Sequence, residues 1–210
     1  MTLLTTVQNA MALCSLSVPD TVYANNTDIV KQMVRLLYVE GRDLLKRHYW
    51  QQLLTTQTLT CAATNAQTGY PATDFDRMSR GTEMWNTSND WPIIGPLNSK
   101  EWSDLTVRGV TSVPQFWRLI GGVLNIEPPQ TGTLFRYEYV KKDWIKQGGT
   151  VSANTLAGDT DTFVFPEHIL ELGLVWRFKQ AKGLDYGEDM RTYGVAVADA
   201  ISSDRGGQIG

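Results

Sequence analysis

The chain has 210 residues, 20% charged and 42% hydrophobic, with a net charge of −3. That length can bury a core as one domain, or as one domain with a sizeable insertion. The charge balance argues against a surface built to clamp DNA phosphates, which needs a marked Lys/Arg excess, although DNA can still pass through such a protein. The two cysteines, Cys14 and Cys61, stand apart with no CxxC spacing, so reduced thiols in a cytoplasmic setting are expected. The N-terminus lacks a basic region followed by an apolar run, and no window approaches the roughly 20 apolar residues of a membrane span.

In chain order, Leu3, Leu4, Val7, Met11 and Cys14 recur at helical spacing and predict a short first helix. Pro19, Asp20 and two asparagines break the pattern, and Thr27 is placed to cap the next helix. From Asp28 to about Gln52, a stripe of Ile29, Met33, Leu36, Leu37, Glu40, Leu44, Leu45 and Tyr49 predicts a long helix. Gly41 interrupts it at a cost in helix propensity, which predicts a helix crossing close by. The texture then changes. Thr-rich TTQTLTCA suits a strand, GTEMWNT and WPIIGPL are short strand candidates, and NSKEWSDL predicts a helix capped by Asn98 and Glu101. QFWRLIGGVLNIEPP predicts a hairpin turning at Gly121–Gly122. Phe135, Tyr137 and Tyr139 alternate with Arg136 and Glu138 as in a half-buried strand. Residues 145–163 are small and polar and are expected to form a loop. Two further helices follow. The first, from Pro166 to Lys182, is apolar almost all round, so it is either deeply buried or shared with a neighbouring subunit. The second carries Met190, Tyr193, Val197 and Ile201 on one stripe.

The resulting fold class is α+β: a helical bundle built from both chain ends (1–54 and 145–202) with a β-rich insertion (55–144). A flexible tail over 203–210 completes it.

Chemistry is sparse. His48 and His168 have no Cys or carboxylate at ligand spacing, so structural or solvated roles outweigh a zinc site. The nucleophile-elbow and phosphate-loop signatures are absent from the sequence. Asp159 and Asp161 form the only close carboxylate pair in a loop. Metal binding is one reading, and a turn or cap before the Pro166 helix is the favoured one. No catalytic residue, metal or cofactor is expected. Of the seven tryptophans, Trp85, Trp91, Trp102, Trp117 and Trp144 fall in mid-chain, where they fill a core and an interface or form a stacking platform for single strands or sugars, with few Arg or Lys interleaved to favour nucleic acid.

Several segments carry a resemblance when taken in order: GRDLLKRHYWQQL, TQTLT, GYPATDFDRM, WPIIGPLNSKEW, FRYEYVKKDW, DTDTF and LGLVWRFKQAKGLDY. Over nearly its whole length the chain resembles the tail adaptor, or head-to-tail connector, proteins of double-stranded-DNA bacteriophages. The resemblance implies a structural, non-enzymatic virion protein at the head–tail junction, made in the host cytoplasm. It implies a homo-oligomeric ring, usually dodecameric, bound to the portal and to a tail tube or nozzle protein. Phage DNA would pass through it without sequence-specific binding, and no membrane would be involved. Leu172 and Trp176 are then candidates for the subunit interface. Arg205 and Ile209 are candidates for a portal-facing arm. The alternative is a sugar- or receptor-binding virion module that displays the tryptophan-rich β block.

Overall fold

The computed structural model describes residues 2–79, 81, 83–109 and 114–206. Its elements in chain order begin with α1 (Leu3–Leu13), α2 (Asp28–Arg47) and a 3-10 turn (Gln51–Leu53). Strands β1 (Leu54–Thr60), β2 (Phe75–Met78), β3 (Met84–Asn86) and β4 (Trp91–Ile93) follow, then α3 (Ser99–Arg108). Next come β5 (Phe116–Ile120), β6 (Val123–Glu127) and β7 (Leu134–Lys141). The chain ends with β8 (Ile145–Gln147), β9 (Thr150–Ala153), β10 (Thr162–Phe163), α4 (Glu167–Ala181) and α5 (Gly187–Gly206). This is a mixed, α+β chain. It divides into two compact units, one of residues 1–53 with 142–210 and one of residues 54–141.

In the first unit α4 is central. It packs against α1, α2 and α5 of its own chain, and Ile169, Leu170, Gly173, Leu174, Val175, Trp176 and Phe178 are all buried. Three helical neighbours account for an apolar surface that wraps the helix. The helix stops in a Schellman motif: Gly183 has φ +69°, its N–H donates to the Gln180 carbonyl at 3.1 Å, and the Leu184 N–H donates to Lys179 at 2.9 Å. Helix α1 is held at its start by a Thr2/Thr5 capping box and by loop carbonyls, with Leu3 N–H donating to Asp161 at 2.7 Å and Leu4 N–H to Asp159 at 3.2 Å.

Several expectations need correction here. Thr27 occupies the N-cap of α2 but its side chain caps nothing. Instead the Asn25 carboxamide oxygen accepts from the Thr27 N–H at 2.9 Å. Helix α2 ends at Arg47, and the predicted continuation to Gln52 becomes a separate 3-10 turn. Gly41 does mark a close approach, yet what approaches is the Trp144 ring, which a Cβ there would strike. The 145–163 segment is not a loop: it holds the three-stranded sheet β10-β8-β9. Its strands are too short and polar to show alternation. The Gly148–Gly149 pair, at φ +58° and +84°, is a two-residue hairpin turn of the kind seen at Gly121–Gly122. Helix α5 runs to Gly206, so residues 203–206 of the expected tail are helical; Ser203 and Asp204 are held by hydrogen bonds.

In the second unit β7 is the organising strand. β1 pairs antiparallel along it from Leu54↔Val140 to Thr60↔Leu134. β2 and β3 also pair with β7, and β4 extends the sheet from β3. Phe135, Tyr137 and Tyr139 point into a core that also holds Cys61, Met84, Ile93, Trp117, Leu124 and Ile126. The β5–β6 hairpin turns at Gly121–Gly122, and the Asn98/Glu101 capping box of α3 is complete in both directions.

Candidate functional site

The most unusual chemistry in the helical unit is a charged group with no exposure at all. Glu40 sits on the apolar stripe of α2 and is 0% exposed. Its Oε2 accepts from Arg177 Nε of α4 at 2.7 Å, and its Oε1 accepts from the Tyr193 hydroxyl of α5. Arg177 also donates to Asp43, one turn further along α2, and lies over the Trp176 ring at 4.5 Å. Burial alone lowers the Arg177 pKa, but the hydrogen bonds and charges of Glu40 and Asp43 more than offset this and leave it raised. Burial, then the Glu40 contact, raises the Tyr193 phenol well above its ordinary range. Gly173 makes the arrangement fit, because a Cβ there would lie 2.5 Å from the Glu40 carboxyl carbon. The cluster therefore fixes three helices to one another at one level. A buried carboxylate with both oxygens satisfied gives register and specificity, and breaking one partner is far more costly than the net value of the pair.

A second polar contact holds the end of α5. His48, at the C-cap of α2, is buried, and its Nε2 lies 2.9 Å from Asp204 Oδ2. The same carboxylate oxygen accepts from the Gln51 N–H at 3.1 Å. The His48 ring meets Trp50 edge-on. His48 is thus a structural histidine, with its carboxylate supplied from 156 residues away. His168 is exposed at the first turn of α4.

The Asp159–Thr160–Asp161 loop resolves in favour of structure. Asp161 is buried, and its carboxylate accepts from the Ala157 N–H at 2.6 Å and the Gly158 N–H at 3.1 Å. Asp159 accepts from the Val22 N–H at 3.0 Å and the Tyr23 N–H at 2.7 Å. Each oxygen used is occupied by backbone donors, and the loop ties the α1–α2 connection and the start of α1 to the same unit. Among the described residues no group of three or more His, Cys, Asp or Glu is placed to hold a metal ion.

The four interface candidates separate. Trp176 is 7% exposed, with its ring against Tyr186 and Tyr193 of its own chain, so it has almost no surface to offer a neighbour. Leu172 is half-buried on the same helix and retains some. Arg205 lies in the last turn of α5, where its side chain is outside the described residues, as is Ile209 altogether. The sugar-platform idea meets a similar obstacle. Trp102, Trp117 and Trp144 are buried, Trp91 is half-buried, and only Trp85 presents a third of its surface. A stacking platform needs open ring faces. Trp117 is core, and Trp144 belongs to the other unit, where it stacks on Phe163 and Phe165.

The Glu40–Arg177–Tyr193 cluster is the feature that sequence reasoning missed. Its signal is present all the same: one carboxylate on an apolar stripe, and one arginine in a helix apolar almost all round.

The family model of the SU10 adaptor protein matches residues 1–206, and the chain belongs to that family. No curated protein gives a significant match. The match spans both units, so the β-rich unit is part of the family's pattern. An adaptor family of this kind is structural and non-enzymatic, which makes the chain a bacteriophage virion component acting on other virion proteins. No described helix is long and apolar enough to cross a membrane.

Proposed function

We propose that this SU10-type adaptor forms a ring at the head–tail junction, between the portal and the tail tube or nozzle, with the DNA passage running through it. The observation that carries the reading is the family match over residues 1–206, taken with the whole-length order of segments shared with tail adaptors. The protein works by binding. Its polar clusters are spent on holding helices together, and the carboxylates that invited a metal reading are bonded to backbone N–H groups. The helices of the first unit are read as a bundle with α4 at its centre, and the β-rich unit as an insertion into it. In a ring each copy presents one patch to a different patch of the next, a heterologous contact that closes on itself. Leu172 is the α4 residue proposed for that contact. Arg205 and Ile209 are proposed to reach the portal, Arg205 through a carboxylate and Ile209 in an apolar notch. The test is sedimentation of the purified protein alone and with purified portal. A ring-sized species on the portal is expected. A protein that stays monomeric at high concentration and leaves portal sedimentation unchanged would overturn the proposal.

A further inference from the structure

The acidic balance of the whole chain hides a local excess of positive charge. Lys31, Arg35, Arg42 and Lys46 of α2 are all exposed. At about 100° per residue they fall within an arc of roughly 60°, and at about 1.5 Å rise per residue they span about 22 Å. They form one straight stripe. The exposed apolar residue of α2, Val39 at 36%, borders it. Of the carboxylates of α2, Asp28 is exposed and precedes the stripe at the helix start, and Asp43, with its side chain 44% exposed, is bonded to Arg177.

These four exposed cations are unspent, unlike most of the cations of the helical unit; the half-buried Lys142 is the other without a side-chain partner among the described residues. Arg177 is bonded to Glu40 and Asp43, Lys179 to Asp189, Arg191 to Glu188 and Lys146 to Gln52. Arg47 and Lys182 lie over the rings of Tyr193 and Phe178. Among the described residues Lys31, Arg35, Arg42 and Lys46 make no side-chain hydrogen bond or ion pair. Four like charges in a row repel one another and destabilise the helix slightly, so stability does not account for the row.

We propose that this stripe is the surface that meets the phosphate backbone of double-stranded DNA. The proposal rests on the adaptor reading, in which DNA passes through the ring, and assigns the face that it passes. Duplex DNA presents a charge about every 1.7 Å of its axis, so a row of about 22 Å lies against many phosphates at once, without reading bases. A protein partner fits less well, because buried interface centres are depleted in charged residues and enriched in aromatic ones, and the stripe offers four cations with one valine beside them. Four contacts per copy hold DNA weakly. Repetition around a ring multiplies them while leaving each one quick to exchange, which suits a duplex that has to slide.

The experiment uses the full chain and two 30-bp duplexes of unrelated sequence, with binding read by fluorescence anisotropy across salt concentrations. The wild type is expected to bind both alike and more weakly than micromolar near physiological salt. Its slope of log K against log salt is expected to be about −3 to −4, since about 0.9 counterions are released per phosphate neutralised. The variant Lys31→Gln, Arg35→Gln, Arg42→Gln and Lys46→Gln should lose at least tenfold in affinity at low salt and most of that slope. A control with the same change in net charge, Lys100→Gln, Arg118→Gln, Arg136→Gln and Lys142→Gln, should lose little. Thermal melts check that both variants fold. Equal weakening by both sets, or no salt-dependent binding by the wild type, would overturn the assignment. So would a stripe variant that keeps its DNA binding but no longer joins portal or its own copies, which would make α2 a protein interface and leave the adaptor reading standing. A wild type that never joins portal would sink the adaptor reading instead, and the DNA measurement would still decide the stripe.

Discussion

Three glycines of the helical unit show how one residue type does opposite work. Gly173 leaves the space that the Glu40 carboxylate fills, and Gly41 leaves the space for the edge of the Trp144 ring. A methyl group at Gly173 would have to displace a fully buried charge from its partners, so Gly173→Ala is expected to destabilise by about 2–4 kcal/mol. Gly41→Ala should cost about 1–3 kcal/mol, from overpacking against a ring locked by Phe163 and Phe165. Gly194, inside α5, has open space where a Cβ would stand, with nothing within 4 Å. There the helix only suffers glycine's backbone freedom, and Gly194→Ala should stabilise by about 0.5–1 kcal/mol. Chemical denaturation of the three variants checks the sign pattern, and a destabilised Gly194→Ala would contradict the packing described. In the β-rich unit Asp74 gives a pH-dependent counterpart. Burial pushes its carboxyl up, but the Tyr139 hydroxyl at 2.6 Å and the Lys141 ammonium outweigh this, and its pKa lies below the usual value of 3.8. A depressed carboxylate adds stability that is present above the unfolded pKa and lost as pH falls through the folded one. Wild type is therefore expected to lose stability below about pH 4 more steeply than Asp74→Asn does, a difference that denaturation at several pH values reads directly.

At the scale of elements, α5 is the least buried of the helices around α4: among the described residues Tyr193 and Val197 are its buried side chains. Met190, placed by spacing on the same stripe, is half exposed, because the first turn of α5 has little to pack on. The far end is held by Asp204, through His48 and the Gln51 N–H. The position of that contact decides what a truncation does. Removing residues 207–210 leaves every described hydrogen bond intact and is the reference truncation. Removing residues 202–210 takes away Asp204 and its bonds to the buried His48 ring and the Gln51 N–H, which should cost about 1–3 kcal/mol. Asp204→Ala should reproduce most of that loss by itself. Melting of the three proteins distinguishes this account from one in which the whole terminus is dispensable. The same elements show what is legible in the sequence. Helices with a strong period and a stop signal, such as α4 with Gly183, lie close to their expected ends, as do the β5–β6 hairpin and the Asn98 capping box. The β8–β9 hairpin escapes such a reading, because three- and four-residue polar strands carry no period and only the Gly148–Gly149 turn marks them. The Glu40–Arg177 pair and the His48–Asp204 pair join residues more than 130 positions apart. One-dimensional spacing cannot match such partners; it can only flag a charge on an apolar stripe as needing one.

For the whole molecule, the chain leaves the helical unit at Leu53 and returns to it at Lys142. The strands that carry it out and back are neighbours. Leu54 pairs with Val140 across the β1–β7 ladder, where facing Cα atoms are about 4.5–5.5 Å apart. A unit whose first and last residues are that close can be inserted into another without straining it, and can be removed with a short bridge. Each side also has its own interior: Phe135, Tyr137, Trp117 and their neighbours in one, α4 with the Trp144–Phe165 stack in the other. The prediction is that a chain with residues 54–141 replaced by a flexible linker of a few residues still folds. It should keep the Glu40–Arg177–Tyr193 cluster and a cooperative melt. Residues 54–141 expressed alone should also fold, although less stably, since a unit of that size has a small core. The intact protein would then unfold in two steps, each lost separately in one of the halves. Calorimetry and near-ultraviolet circular dichroism test this, with Trp144 and Trp176 reporting on one unit and Trp117 on the other. If the linker chain is unfolded or molten, the two interiors depend on each other and the insertion picture fails. If it folds, sedimentation with portal can be repeated on it, and the unit that carries the portal contact is identified by whether the association survives.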